Sequence, residues 1–168
     1  MKYIAVNELD NFEYHDAYID KIEFLNGRML WEVRDINATT ENSQNGSDKH
    51  MCIENALMIF EDAKIEKIIF AACKISDANG VLIKHREDTP ALPNEYNKIL
   101  DDYFVIYGLN ELTVIDNGKY RAHFDILGSH DYFYFTITFT ESMIKWDNFG
   151  GKAWYEKAKD LRKQRERE

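Results

Sequence analysis

The sequence predicts an α+β fold: a single domain that is mainly an antiparallel β-sheet or a two-layer sandwich, with about two helices. Three Asn-Gly dipeptides carry the β part of this prediction: Asn26-Gly27, Asn79-Gly80 and Asn117-Gly118. Each lies between strand-like stretches, and Asn-Gly suits the two consecutive positive φ angles of a type I′ hairpin turn. Residues 132 to 140 add a strand of strict alternation. Apolar residues spaced three and four apart predict the helices.

The first strand pair covers about residues 17 to 37, around Asn26-Gly27. Its second strand alternates, so that one face carries three apolar side chains: Met29, Trp31 and Val33. This alternation predicts one buried face. Residues 37 to 49 are polar except for Ala38. That composition predicts a surface loop that is mobile or ordered by a partner.

Two further strands are predicted over residues 51 to 61 and 65 to 75, with residues 61 to 64 as the turn of a hairpin. Helix is a competing interpretation for the first of them, but isoleucine-rich sequence and hairpin spacing favour strands. Residues 72 to 76 and 81 to 84 form the next predicted pair, around Asn79-Gly80. All four segments are thus predicted to be β-structure.

After Pro93 the period changes to that of a helix, which we expect to span about residues 93 to 104 because proline is tolerated in a first turn. Residues 112 to 116 and 119 to 127 then form a hairpin around Asn117-Gly118. Residues 132 to 140 should be a central strand, with phenylalanine facing the core. A last helix, at about residues 153 to 164, places one stripe of apolar residues along its length: Trp154, Ala158 and Leu161.

Length and charge indicate one acidic, cytoplasmic domain over residues 1 to 168. The net charge is −9, but residues 152 to 168 hold seven Lys or Arg against four Asp or Glu, a basic amphipathic C-terminal helix. Residues 1 to 151 therefore carry −12. Such a body repels nucleic acid and anionic lipid and favours a basic protein partner. We expect no membrane span and no secretory signal, because long apolar stretches are missing.

Three His-acid pairs are the candidates for catalysis or metal binding: His15-Asp16, His123-x-Asp125 and His130-Asp131. Adjacent residues of a strand point to opposite faces of the sheet. The two side chains of a His-Asp dipeptide can therefore coordinate the same metal ion only if the dipeptide lies in a turn. We therefore predict no metal and no cofactor. The four residues of the two dipeptides form an alternative polar site for a small hydrolase, although turn hydrogen bonding explains them more simply.

Aromatic side chains are the better candidates for binding, since Trp and Tyr anchor protein interfaces and stack on sugars. The predicted partner-binding residues are Trp31, Tyr132, Tyr134, Trp146 and Trp154. Near the C-terminus, four aromatic residues are expected to crowd beside the Tyr132/Tyr134 face: Trp146, Phe149, Trp154 and Tyr155. Two alternatives stay open, a core that caps the sheet edge and a carbohydrate-binding domain.

Four short motifs carry a resemblance: Tyr14-His15-Asp16-Ala17, Leu57-Met58-Ile59-Phe60-Glu61, Ile144-Lys145-Trp146-Asp147 and Ala153-Trp154-Tyr155. In these motifs the chain resembles small uncharacterised bacterial proteins, some of which are similar to immunity proteins of polymorphic toxin systems. The resemblance implies a cytosolic, non-enzymatic protein that binds one cognate partner. Our hypothesis is a protein-binding module of this kind, which neutralises a basic toxin; the alternative is a small hydrolase or carbohydrate-binding domain.

Overall fold

The structure is a computed structural model that describes residues 1–115, 118–129 and 131–165. Its first strands are β1 (Tyr3–Val6), β2 (Phe12–Glu13), β3 (Ala17–Leu25), β4 (Arg28–Arg34), β5 (Ile36–Ala38), β6 (Met51–Ile53), β7 (Ala56–Glu61) and β8 (Lys64–Phe70). The later strands are β9 (Cys73–Ser76), β10 (Leu82–Arg86), β11 (Thr89–Pro90), β12 (Phe104–Ile115), β13 (Lys119–Leu127), β14 (Tyr132–Phe139), β15 (Glu141–Trp146) and β16 (Gly151–Lys152). The α-helices are α1 (Tyr96–Ile99) and α2 (Trp154–Arg165).

Antiparallel pairing dominates the fold, which confirms the predicted α+β class. Ten strands form one sheet in the order β1-β15-β7-β4-β3-β12-β13-β14-β8-β11. A smaller sheet has the order β16-β6-β5-β2, and β9 pairs with β10 as a separate hairpin. Every neighbouring pair in the large sheet runs antiparallel.

The large sheet folds back on itself at one pair of bends. β7 continues into β8 through Asp62, whose φ is 49°, and β14 continues into β15 through Thr140. β7 pairs with β15 and β8 with β14, while the Thr140 N–H donates to the Glu61 carbonyl at 2.9 Å. The predicted hairpin turn at residues 61 to 64 is therefore wrong. The left-handed Asp62 bends the strand there but does not reverse it.

The core lies where the two halves of the folded sheet face each other. Trp31 of β4 is fully buried, and its ring contacts three phenylalanines at centroid distances of 5.0 to 5.7 Å: Phe60, Phe124 and Phe135. These come from β7, β13 and β14, so one side chain joins both halves. The phenylalanine face predicted for residues 132 to 140 is buried, as expected.

The Asn-Gly turns follow the prediction in part. Asn26 and Gly27 both have positive φ, 52° and 79°, as a type I′ turn requires. At the second dipeptide only Gly80 has positive φ, because the turn begins at Asp77, whose carbonyl accepts a hydrogen bond from the Gly80 N–H at 3.0 Å. Of the third, Asn117 lies outside the described residues, but β12 and β13 do pair across it.

The polar segment after β5 is held by side-chain hydrogen bonds within the chain. The buried Asn45 amide donates to the carbonyls of Ala38, Thr39 and Lys49 at 2.8 to 3.2 Å. Glu8 accepts a hydrogen bond from the Ser43 N–H at 2.8 Å. Partial burial of the Glu8 carboxylate raises its pKa, but the hydrogen bonds that it accepts have the larger effect. The pKa of Glu8 is therefore lowered.

Replacing Asn45 with alanine should lower the free energy of unfolding by about 2 kcal/mol, because several buried carbonyls lose their donor. The neighbouring Gln44→Ala is the matched control, since the Gln44 amide donates only to the adjacent Ser43 hydroxyl. Its cost should stay below about 0.5 kcal/mol. Urea denaturation of both variants measures the difference. Equal losses would contradict an anchoring role for Asn45.

The helices differ from the prediction mainly in length. Between residues 93 and 104 the chain forms a 3₁₀ turn, Pro93–Glu95, and the single turn of α1, and it is already extended at Phe104. Pairing of β12 with β3 and β13 ends the helical segment early. The C-terminal helix is confirmed as α2. Among the described residues, no helix is long and apolar enough to cross a membrane.

Candidate functional site

A cluster of aromatic and polar side chains lies on the outer face of three adjacent strands. Along β13, Ala122, Phe124 and Ile126 are buried, whereas the alternate residues point outward. The outward side chains meet those of β12 and β14. We call this cluster the tyrosine face; it consists of Tyr107, His123, Asp125, Tyr132 and Tyr134.

The rings of this face form a continuous row. His123 stacks on Tyr134 with centroids 5.6 Å apart, and Tyr134 is 5.7 Å from Tyr132. Tyr107 lies 5.7 Å from Tyr132 and 5.9 Å from His15, which precedes β3. The strand register produces this row, since Tyr134 pairs with Asp125 and β12 is irregular beside Tyr107. Five aromatic rings, four of the face and that of His15, thus extend across the sheet.

Asp125 supplies the negative charge at the centre of the face. Burial, followed by a hydrogen bond from its hydroxyl to Asp125, raises the pKa of Tyr132 well above its ordinary value. The Oδ1 atom of Asp125 is covered and accepts no hydrogen bond within the described residues. His123 Nε2 lies 3.9 Å from this oxygen, and His123 Nδ1 lies 2.9 Å from Thr136 Oγ1.

This arrangement does not support the hydrolase alternative. Thr136, His123 and Asp125 follow the order of a nucleophile, base and carboxylate, but Thr136 is only 2% exposed. A nucleophile must reach a substrate carbonyl, which this buried hydroxyl cannot do. In the described part of the chain, no group of three His, Cys, Asp or Glu side chains could hold a metal ion.

An acidic cleft adjoins the row of rings at its Tyr107 and His15 end. It has a volume of about 400 Å³, and its lining includes three carboxylates: Asp10, Glu13 and Glu111. No lysine or arginine is among the described residues that line it. Glu13 also lies near Tyr155 of α2. The pKa of Tyr155 is raised to about 12, mainly because its hydroxyl is buried and then because the negative charge of Glu13 is close. The described lining of the acidic cleft therefore holds three carboxylates and no lysine or arginine.

The predicted polar site is not one cluster. His15 contacts Tyr107, and its Nε2 lies 3.5 Å from an oxygen of Asp16, which has a turn-like φ of 65°. Asp131 instead pairs with the Arg86 guanidinium at 2.7 Å. His130 lies outside the described residues. The described residues of the two dipeptides therefore have different partners, and among them His15 is the one that contacts the tyrosine face.

Two of the five predicted partner-binding aromatics are in the core. Trp31 and Trp146 are fully buried, so neither can contact a partner of the folded protein. Trp146 stacks on Tyr3 at 5.4 Å instead of approaching the tyrosine face. Trp154 is 63% exposed on α2 and contacts Tyr155. Tyr132 and Tyr134 are the predicted residues that belong to the face.

Sequence reasoning missed Tyr107 and the carboxylates of the acidic cleft. It named Asp125 within the His123-x-Asp125 pair but did not place this pair beside the tyrosines, although residues two apart on a strand share a face. Tyr107 and Glu13 meet only through the pairing of distant strands. Comparison with protein-family models, curated proteins and solved structures gives no match to this chain. Its function therefore has to be inferred from the site.

Proposed function

We propose that the protein is a protein-binding module with a basic protein partner, which it holds on the tyrosine face and the acidic cleft. One observation carries this proposal: a row of five aromatic rings leads directly into a cleft with three carboxylates and no lysine or arginine in its described lining. Rings and carboxylates together suit the apolar stems and cationic ends of arginine and lysine.

The chemistry of the face matches that of interface anchors. Tyrosine offers a large contact area with few rotatable bonds, so that little conformational entropy is lost on binding. Tyr107 is exposed near the cleft end of the row, where a partner side chain can reach it. Asp125 beneath the rings attracts a cation that approaches them. The acidic cleft then extends the same preference beyond Tyr107.

The charge of the whole chain favours the same kind of partner. The −12 carried by residues 1 to 151 should steer a basic protein toward this surface from a distance. The specific form of the proposal is a cytoplasmic, immunity-like protein that neutralises a basic toxin. The resemblance of its short motifs supports an immunity-like protein. The charge and shape of the site support the broader proposal, a module that binds a basic protein.

The ring geometry does not favour the carbohydrate-binding alternative. A sugar stacks best on flat, parallel rings, but the planes of Tyr132 and Tyr134 are at 88° and those of Tyr107 and Tyr132 at 56°. Tyr132 and Tyr134 are also half-buried among their neighbours. Such a surface suits side chains of varied direction more than a planar ligand.

Photo-crosslinking tests the proposal. A benzophenone amino acid in place of Tyr107 should crosslink a basic protein in the cells that naturally produce this chain. The control position is Phe24, which is also exposed. It lies at the other end of β3 from Ala17, the residue that pairs with Ile106 next to Tyr107. Mass spectrometry identifies the product. The absence of a product from position 107, an acidic product, or equal crosslinking from both positions would contradict the proposal.

A further inference from the structure

The β9–β10 hairpin stands apart from the large sheet. Its two strands pair only with each other within the described residues. Its base is fixed to the body, because the Arg86 guanidinium donates to the Ala71 carbonyl at 2.8 Å and to Asp131 at 2.7 Å. The backbone N–H of Ala72 donates to the Asp88 carboxylate. The base is therefore held while the rest projects.

The projecting part of the hairpin is apolar. Four aliphatic side chains there are 48 to 68% exposed, and we call them the hairpin tip: Ile75, Val81, Leu82 and Ile83. A two-stranded hairpin is at best marginally stable alone in water, and clustered exposed apolar side chains mark interaction surfaces. The hairpin tip is therefore a surface that should be covered by another molecule.

The charge of the hairpin is opposite to that of the body. Residues 73 to 86 contain Lys74, Lys84 and Arg86 against Asp77 alone. Leu82 pairs with Ser76, and paired residues lie on the same face of a hairpin. Lys74 is two residues before Ser76 and therefore lies on that face as well. A complementary surface must therefore combine apolar contact with negative charge.

A second cleft of this same chain has that combination. It has a volume of about 540 Å³, with buried Phe104 and Phe133 beside Phe70 as its floor and exposed Glu95 and Asp101 at its rim. We call it the phenylalanine cleft. Among the described lining residues, Lys98 is its one cation against four carboxylates.

We infer that the protein forms a twofold dimer in which the hairpin tip of each copy docks into the phenylalanine cleft of the other. Hairpin and cleft adjoin on one face, because Asp131 lines the cleft and pairs with Arg86, whose guanidinium lies 5.5 Å from the Phe70 ring. A surface that holds both complementary parts can pair with itself and close. This inference does not depend on the proposed function, but the two surfaces adjoin, because Ile75 lines one cleft together with Tyr132 and Tyr134.

Sedimentation velocity over protein concentrations of about 1 to 200 μM tests the dimer. The wild type should shift from monomer to dimer across this range, which is typical of a modest interface. The double variant Leu82→Glu/Ile83→Glu should weaken association at least about tenfold, since it places charge in an apolar contact. Val114→Glu, at an exposed valine of β12, is the matched control and should dimerise as the wild type does. A monomeric wild type, or a double variant that associates normally, would overturn the inference.

Charge reversal then tests whether the hairpin meets the phenylalanine cleft. Lys74→Glu and Asp101→Lys should each weaken self-association. An equimolar mixture should form a heterodimer, because one contact is then unaltered and the other regains opposite charges. Each variant keeps the apolar residues, so a folding defect shows separately in circular dichroism. A mixture of folded variants that stays monomeric would overturn the assignment of these two surfaces to each other.

Discussion

Replacing Trp31 with alanine is expected to lower the free energy of unfolding by about 3 to 5 kcal/mol. Trp31 is fully buried and contacts phenylalanines from both halves of the folded sheet. Its removal leaves a cavity that the strands cannot close without losing their hydrogen bonds. Urea denaturation followed by circular dichroism measures the loss. The expected result is a lower midpoint with a single transition.

Trp154→Ala is the matched control for this prediction. It deletes the same side chain from an exposed position on α2, where the cost should stay below about 0.5 kcal/mol. Trp31→Phe adds a second comparison. It keeps a ring and removes an indole N–H that has no hydrogen-bond partner in the described structure, so it should cost less than half as much as Trp31→Ala. Similar losses for Trp31→Ala and Trp154→Ala would contradict the buried position.

The strands were predictable because their sequence signals are local. Alternation in β4 and β14, and the double positive φ of Asn26-Gly27, depend on residues that are neighbours in the chain. The fold-back of the large sheet was not predictable from them. Asp62 and Thr140 become bends because β7 pairs with β15 and β8 with β14, which depends on distant segments. A turn-like sequence alone does not reveal whether a chain reverses or only bends.

The site was predictable only where alternation decides the face. Tyr132 and Tyr134 were placed opposite the phenylalanines, and the structure has them on the outer face. Trp31 was proposed for partner binding because tryptophan is common in interfaces, yet its alternation with Met29 and Val33 already favoured the core. Tyr107 comes from β12, whereas Asp10 and Glu13 come from the N-terminal region. Pairing between β12 and the N-terminal region assembles them, and no local pattern indicates it.

The second large effect concerns the rate at which the partner associates. If the acidic cleft attracts a basic partner, neutralising its carboxylates should slow association about tenfold or more at low salt, while dissociation changes much less. The variant is Asp10→Asn/Glu13→Gln/Glu111→Gln. A control triple variant changes the net charge equally at exposed carboxylates outside this cleft: Glu23→Gln, Glu32→Gln and Asp48→Asn. Its association rate should fall much less.

The most direct measurement is therefore stopped-flow association of the crosslinked partner, once purified, with the wild type and both triple variants. It is made at about 50 and 500 mM salt, over which the Debye length shortens from roughly 14 to 4 Å. We predict that salt slows the wild type about tenfold and that the acidic-cleft variant is already slow at low salt and less sensitive to it. Equal rates for the two triple variants, or a wild-type rate independent of salt, would contradict recognition of a basic partner at this cleft.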